Sequence, residues 1–268
     1  VASAKSVAIR GLDNNNKINN LILAKKKEQY YLEIQDKKIP IQLFRERRRS
    51  VRFAIGKKSV LVRLPLHLRQ QQEQVQLQRL RTWLDQLLTK QDGMLEHLAG
   101  KTYQDGDVLE VGARKYKLKI VWEDRKTMAG QLKNGRLQVK LPKDADELSV
   151  SRNMKRLLSR TIARDFLPEI SERVQLLNDR HFSFRYSNVK LRYNTSNWGS
   201  CHMNGTITLS TRLLFAPPEV IDYVIIHELA HLEVFGHSRE FWDLVKKAMP
   251  SYKEKEKWLK ENYYQCDF

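Results

Sequence analysis

His227-Glu228-Leu229-Ala230-His231, with Pro217-Pro218-Glu219 ahead of it, is the stretch on which the reading of this chain turns. Proline is accommodated in the first turn of a helix, where its missing N–H is not needed, so a helix is expected from Pro218 to Phe235. Within a helix, residues i and i+4 lie one turn apart on one face. Both imidazoles can then reach a single ion while Glu228 stands beside it. Hydrolysis needs this arrangement, because a zinc ion lowers the pKa of its water to about 7 and an adjacent carboxylate can take the proton. An H-E-x-x-H string arises by chance in roughly one chain per hundred of this length. The competing reading is two hydrogen-bonded, inert histidines on a half-buried helix.

Catalytic zinc takes three protein ligands and leaves one position open. His237 follows Gly236, and a glycine there can close the helix in a left-handed cap and turn His237 back toward the same ion. Glu240 and Asp243 are the alternatives, and His237 is preferred over them because imidazole suits zinc. Upstream, Trp198-Gly199-Ser200-Cys201 leads into Gly205-Thr206-Ile207-Thr208-Leu209-Ser210, an alternating strand. At a cleft edge it would pair with an extended substrate; in a hairpin it would be buried with Trp198 as an anchor. Cys201 and His202 are not expected as ligands, since a fourth would close the water position. Tyr252 and Arg212 are candidate oxyanion or substrate donors, with a structural role the simpler alternative for each. Phe241 and Trp242 are expected to pack the last helices against the metal helix.

Outward from the site, helices are expected at Ser238 to Ala248 and Tyr252 to Tyr263, and strands at Phe182 to Tyr193 and Gly205 to Leu209. A long helix should occupy Asp146 to about Leu177, with Leu148, Met154, Leu157, Leu158, Ile162, Phe166, Ile170 and Val174 on one side and Pro168 as a kink or break. Alternation marks strands at Val108 to Val111, Tyr116 to Trp122, and on both sides of the Asn134-Gly135 turn. The same alternation runs through Ile39, Ile41 and Leu43, then Val51, Phe53 and Ile55, then Val60, Val62 and Leu64, with Gly56-Lys57-Lys58 as a turn. Both groups read as hairpins. Between them Val75, Leu77, Leu80, Trp83, Leu84, Leu87 and Leu88 form the stripe of one amphipathic helix, with Gln70 to Gln72 on its wet face. No internal repeat is expected.

The net charge of +18 is concentrated at the start: residues 1 to 70 hold 17 Lys or Arg against 5 Asp or Glu. Such a region can meet nucleic acid, an anionic surface or acidic proteins, or simply be a solvated face. Two cysteines exclude a disulfide framework and match no zinc ribbon. No stretch is long and apolar enough to span a bilayer, and Val1 to Arg10 lacks the apolar core of a secretory signal. A cytoplasmic location is therefore the expectation.

Trp198-Gly199-Ser200-Cys201, Gly205, Pro217, Ile221-Asp222-Tyr223-Val224, His227 to His231, His237-Ser238, Phe241-Trp242, Pro250, Tyr252 and Trp258-Leu259 together resemble the YgjP-like family of metal-dependent hydrolases. That family is similar to the SprT-like and other minimal zincin proteases. The resemblance reaches back through Asp105-Gly106, Tyr116 and Trp83 to Val60-Leu61-Val62-Arg63-Leu64-Pro65. It covers roughly residues 40 to 264 and leaves residues 1 to 35 outside. It implies His227, His231 and His237 as ligands and Glu228 as the catalytic residue, but no particular substrate.

The expected fold class is α+β: a zincin-like metallopeptidase domain at 143–268, with antiparallel strands and an HExxH active-site helix. A smaller β-rich region with one helix at 37–142 precedes it, and a basic polar extension occupies 1–36. The expected function is zinc-dependent hydrolysis of peptide bonds, with a protein or peptide as substrate. A protease acting on DNA-bound proteins through its basic residues 1–70 is one rival. A nucleic-acid- or protein-binding module with a structural metal is the other.

Overall fold

The computed structural model describes residues 27–56, 59–91 and 93–268, and of residues 27, 147, 148, 151 and 152 the backbone alone. Most of the basic polar extension expected at 1–36, Lys57-Lys58 of the expected turn and the side chain of Leu148 lie outside the described residues. Among the described residues no helix is long and apolar enough to cross a membrane.

The first sheet holds β1 (Lys27–Ile34), β2 (Lys37–Glu46), β3 (Arg52–Ile55) and β4 (Val60–Pro65), in the order β1-β2-β4-β3. Within the polar extension the sequence offers one strand, Tyr30 to Ile34; β1 covers it, starts three residues earlier, and forms a hairpin with β2 through Gln35 and Asp36, both at positive φ. The expected hairpins are present, but β2 and β4 join them as a parallel pair at the centre. Period-two alternation reports which face a residue takes and carries no information on strand direction, so this pairing was not visible. Ile39, Ile41, Leu43, Val60, Val62 and Leu64 point inward, against Leu80 and Leu84 of α1 (Gln70–Lys90) and Met94 and Leu98 of α2 (Met94–Ala99). Val75, placed on the stripe from spacing, is 48% exposed, and α2 was not expected at all.

The second sheet holds β5 (Val108–Val111), β6 (Arg114–Glu123), β7 (Ala129–Lys133) and β8 (Arg136–Pro142), in the order β5-β6-β8-β7, again with a parallel central pair. It is the first sheet over again, which corrects the expectation of no repeat. Glu46 faces Pro65 across β2 and β4, and Glu123 faces Pro142 across β6 and β8. The two members of each equivalence, Glu46 with Glu123 and Pro65 with Pro142, stand 77 positions apart. So do the helices that follow, which begin at Gln70 and Glu147. The ion pair of Glu46 with Arg63 at 2.9 Å recurs as Glu123 with Lys140 at 2.8 Å. The bond from Leu66 N to Glu46 O recurs from Lys143 N to Glu123 O, each 3.1 Å. The repeat is faint in sequence because inward positions exchange one aliphatic for another, Ile41 for Leu118 and Val60 for Leu137, at little cost in volume.

After the second sheet comes α3 (Glu147–His181), capped by the Asp146 carboxylate accepting from Ser149 N at 2.8 Å. It passes through Pro168 without the break that proline could have imposed. The third sheet, β10 (Gly199–Cys201), β11 (Thr206–Ser210) and β9 (Asn188–Arg192), has β11 in the middle, parallel to β9. Helices α4 (Pro218–Ala230), α5 (Arg239–Ala248) and α6 (Tyr252–Asn262) complete the mixed α+β fold.

Among the described residues two buried clusters form. One gathers residues 34–98 with Tyr264; the other runs from Val111 to Phe268 and includes the inward face of the second sheet. The expected boundary at 142/143 falls inside this second cluster, since Leu118, Val139 and Leu141 share it with Val224, Ile225 and Leu229 of α4.

Candidate metal centre

Helix α4 is buried on most sides, with Val220, Tyr223, Val224, Ile225, Ile226 and Leu229 all in the core. A helix so enclosed has little freedom to shift. It is further tied to α3 by Arg173, whose Nε and Nη2 each donate to Asp222 at 2.6 Å. Pro218 opens α4 as expected, and Glu219 in its first turn meets the positive end of the helix dipole. The helix ends at Ala230 rather than Phe235. His231 is its C-cap, still at helical φ −69° and ψ −13°, so it keeps the face it shares with His227. Gly236 therefore does not cap the helix. It lies in the following turn at φ +100°, and that turn brings His237 back.

His227, His231 and His237 offer ring nitrogens that all lie within 4.8 Å of one another, the one such cluster among the described residues. Nε2 of His237 and Nε2 of His227 are 3.1 Å apart. Ligands at 2.0–2.1 Å from a tetrahedral ion stand about 3.3 Å apart, so this spacing suits a shared cation. His231 Nδ1 lies 3.1 Å from Val234 O, to which it can donate, leaving Nε2 as the lone-pair nitrogen. The three rings surround Phe241, fully buried, at centroid distances of 4.8, 4.4 and 4.9 Å. This places Phe241 as an apolar floor beneath the imidazoles, a more specific role than the helix packing expected of it. Glu240 and Asp243 are exposed and outside the cluster.

Burial, then the neighbouring His231 and His237, push His227 down to about 3. Burial likewise lowers His231, opposed by its bond to Val234 and reinforced by His237. Both are neutral at ordinary pH, the form that binds a metal. Glu228 is 4% exposed, and burial pushes it up to about 8 against a hydrogen bond from the Cys201 backbone. Its Oε2 and Nδ1 of His227 are buried without a protein partner. An orphaned buried carboxylate oxygen indicates a missing partner of opposite character. A divalent cation at the three imidazoles, with its water, supplies one for Glu228 and would favour its ionised form, whereas Nδ1 of His227 is the ring nitrogen turned away from the cluster.

Gly199 is what lets Glu228 lie against β10. A Cβ at that position would fall 2.5 Å from Glu228 Oε1, 2.7 Å from Cγ and 2.8 Å from Cδ. The sequence marked Trp198-Gly199-Ser200-Cys201 as a feature but gave no sign of what it touches. The strand expected at the cleft edge, β11, is central; β10 and β9 are the outer strands, and Gly199, Ser200 and Cys201 of β10 line the cleft beside the histidines. This cleft, about 760 Å³, is also walled by Trp198, Tyr223, Phe235, Leu259 and Tyr263. Cys201 is a half-buried free thiol pushed up to about 11 by burial and by Glu228.

The two oxyanion candidates lie elsewhere. Arg212 is 6% exposed, donates through Nε to Cys266 O and through Nη2 to Tyr263 O at 2.7 Å each, and lies 4.7 Å over the Trp198 ring. Tyr252 is stacked on Trp242 at 5.3 Å and Tyr223 at 6.4 Å. Neither lines the cleft, whereas Tyr223 does.

A profile described as YgjP-like, metallopeptidase domain matches residues 49–262. Among solved structures, the metallopeptidase zymogen abylysin of Pyrococcus abyssi is 30% identical over 34% of this chain and 93% of its own, with a TM-score of 0.32. The metallopeptidase zymogen jannalysin of Methanocaldococcus jannaschii is 17% identical over 35% of this chain and 96% of its own, also with a TM-score of 0.32. No curated protein matches the chain.

Proposed function

Since the chain belongs to the YgjP-like metallopeptidase family, we propose that it is a zinc-dependent peptidase with a zincin-like active-site helix, in which His227, His231 and His237 hold the ion and Glu228 is the general base. The observation that carries this reading is the conjunction of three clustered imidazoles with one buried carboxylate, Oε2 unpartnered, at the wall of an open cleft. Three imidazole nitrogen donors and no thiolate suit zinc. Bound there, zinc would act as a Lewis acid toward a carbonyl and bring its water into the range where a carboxylate can deprotonate it.

The chain's own groups account for the remaining steps. Glu228, held between α4 and β10, takes the proton of the attacking water and delivers it to the departing amine. Its apolar surroundings keep its basicity high enough for both transfers. Phe241 fixes the planes of the imidazoles from below, and the His231 bond to Val234 sets that ring's tautomer. An extended peptide lies along β10, an outer strand of its sheet, with Trp198, Tyr223 and Leu259 excluding water around it.

The test is Glu228→Gln, which keeps shape and removes basicity. Zinc should remain at one equivalent while cleavage of a peptide library falls by about three orders of magnitude or more. Cleavage at the parent rate with zinc bound would overturn the assignment.

A further inference from the structure

We propose that the groove between the β6–β7 connection and the first half of α3 is a binding site for a phosphate group. The groove is about 730 Å³ and shares no lining residue with the metal cleft. Lys126 and Thr127 enter it from the connection; Asn153, Arg156 and Arg160 enter it from α3. The spacing 153, 156, 160 puts these three on one helical face. Lys126, Arg156 and Arg160 are exposed, and among the described residues none has a carboxylate within ion-pair distance. The nearby acids serve other cations: Glu123 pairs with Arg125 and Lys140, and Asp267 with Lys155. Among the described side chains Asp144 is the one carboxylate lining the groove, so the three cations leave these groups with a net positive charge. A concave surface lined by like charge focuses a field that an anion relieves, and arginine pairs hold phosphate in bidentate fashion.

The repeat supplies an internal comparison. Lys126-Thr127 corresponds to Arg49-Ser50, and Arg156 to Arg79, each 77 positions apart. All six side chains are exposed, so packing does not require them to match. The cation and hydroxyl of the connection and the arginine of the helix recur in both copies, so these groups alone do not distinguish the two. At the remaining position the copies part. Arg160 corresponds to Trp83, whose ring lies 5.7 Å from that of Phe53, where the second copy has Gly130. The first copy thus has an aromatic pair where the second offers its third cation, and binding is assigned to the second copy alone.

The test uses the full chain with zinc bound, titrated with inorganic phosphate at constant ionic strength set by chloride, and followed through the arginine Nε–H resonances. Saturable binding is expected, weakened about tenfold or more in Arg156→Gln/Arg160→Gln and unchanged in Arg79→Gln. Both sets of substitutions are on exposed side chains, and peptide cleavage should be unaffected by either. A ten-nucleotide single strand is then added as competitor. Competition assigns the phosphate to a phosphodiester chain and lack of it to a small molecule, and either outcome keeps the site. Phosphate binding no stronger than chloride, or equal binding in parent and double variant, would overturn the proposal.

Discussion

Replacing Gly199 by alanine isolates the contact that positions the general base. Gly199 has no positive φ, so its backbone accepts alanine and the effect is steric alone. The added Cβ would meet Glu228 Oε1, Cγ and Cδ at 2.5, 2.7 and 2.8 Å, where ordinary contact begins near 3.4 Å. The carboxylate must therefore move by roughly 1 Å, a displacement worth about 100-fold in rate at a reacting centre. Glu228 is 4% exposed and cannot swing into solvent, so crowding should also cost about 1–3 kcal/mol of stability. That lowers Tm by several degrees for a chain of this size. The expected result is a kcat reduced about 100-fold, KM little changed, and zinc content at the parent level by mass spectrometry. Gly199→Ala/Glu228→Gln should be no slower than Glu228→Gln, because the glycine acts only through the carboxylate. A further loss in the double variant, or parent kcat in Gly199→Ala, would refute this reasoning.

Zinc binding at pH 7 should release close to one proton, since Glu228 is pushed up to about 8 in the empty cradle while His227, near 3, has none to give. Calorimetry in buffers of different ionisation enthalpy reads this directly, and Glu228→Gln should abolish most of the release. Gly236→Ala meets no atom within 4 Å but places a side chain at φ +100°. It should strain the turn by about 1–2 kcal/mol and weaken zinc affinity roughly tenfold, as a chelator competition would show. Asp267 is partly buried, which opposes its ionisation, yet Lys155 and the Tyr193 hydroxyl, each at 2.7 Å, hold its pKa below the usual carboxylate range. A depressed folded pKa gives stability that is present above the unfolded value of about 3.9 and is lost as pH falls through the folded one. Asp267→Asn should thus lower Tm at pH 6, and its deficit should shrink toward pH 3.

The site was more legible than the fold because its chemistry is local. A five-residue string fixes two imidazoles and a carboxylate on one helical face, and that face survived even though α4 stops at Ala230. Gly236 was read correctly as the turn before His237 but for the wrong reason: it bends a loop and caps no helix. What sequence could not give were contacts between distant segments. The approach of Gly199 to Glu228 and the Arg212 bonds to Tyr263 and Cys266 depend on packing that no spacing encodes. The parallel pairs β2/β4 and β6/β8 were hidden for a related reason, since alternation is the same in either direction.

The repeat explains how the metal helix acquires its rigid support. Both copies send a helix across their sheet from equivalent starts, but α1 ends at Lys90 while α3 continues to His181. The first half of α3 belongs to the second sheet: Leu157 and Thr161 lie against Gly130, Asp165 bonds Arg114 and Tyr116, and Arg114 rests 4.2 Å over Phe166. Past Pro168 its partners change. Arg173 grips Asp222 on α4, Gln175 accepts from the Tyr186 hydroxyl, and Asn178 bonds the Phe184 backbone in both directions. One unbroken helix thus carries the position of the second sheet to the helix bearing His227 and Glu228. The first sheet shares the layout of the second and lacks this extension, so its core closes on α1 and α2, with Tyr264 joining it from the carboxy-terminal segment. Loss of packing in the second sheet should therefore disturb the imidazole geometry, whereas equal loss in the first should leave it intact.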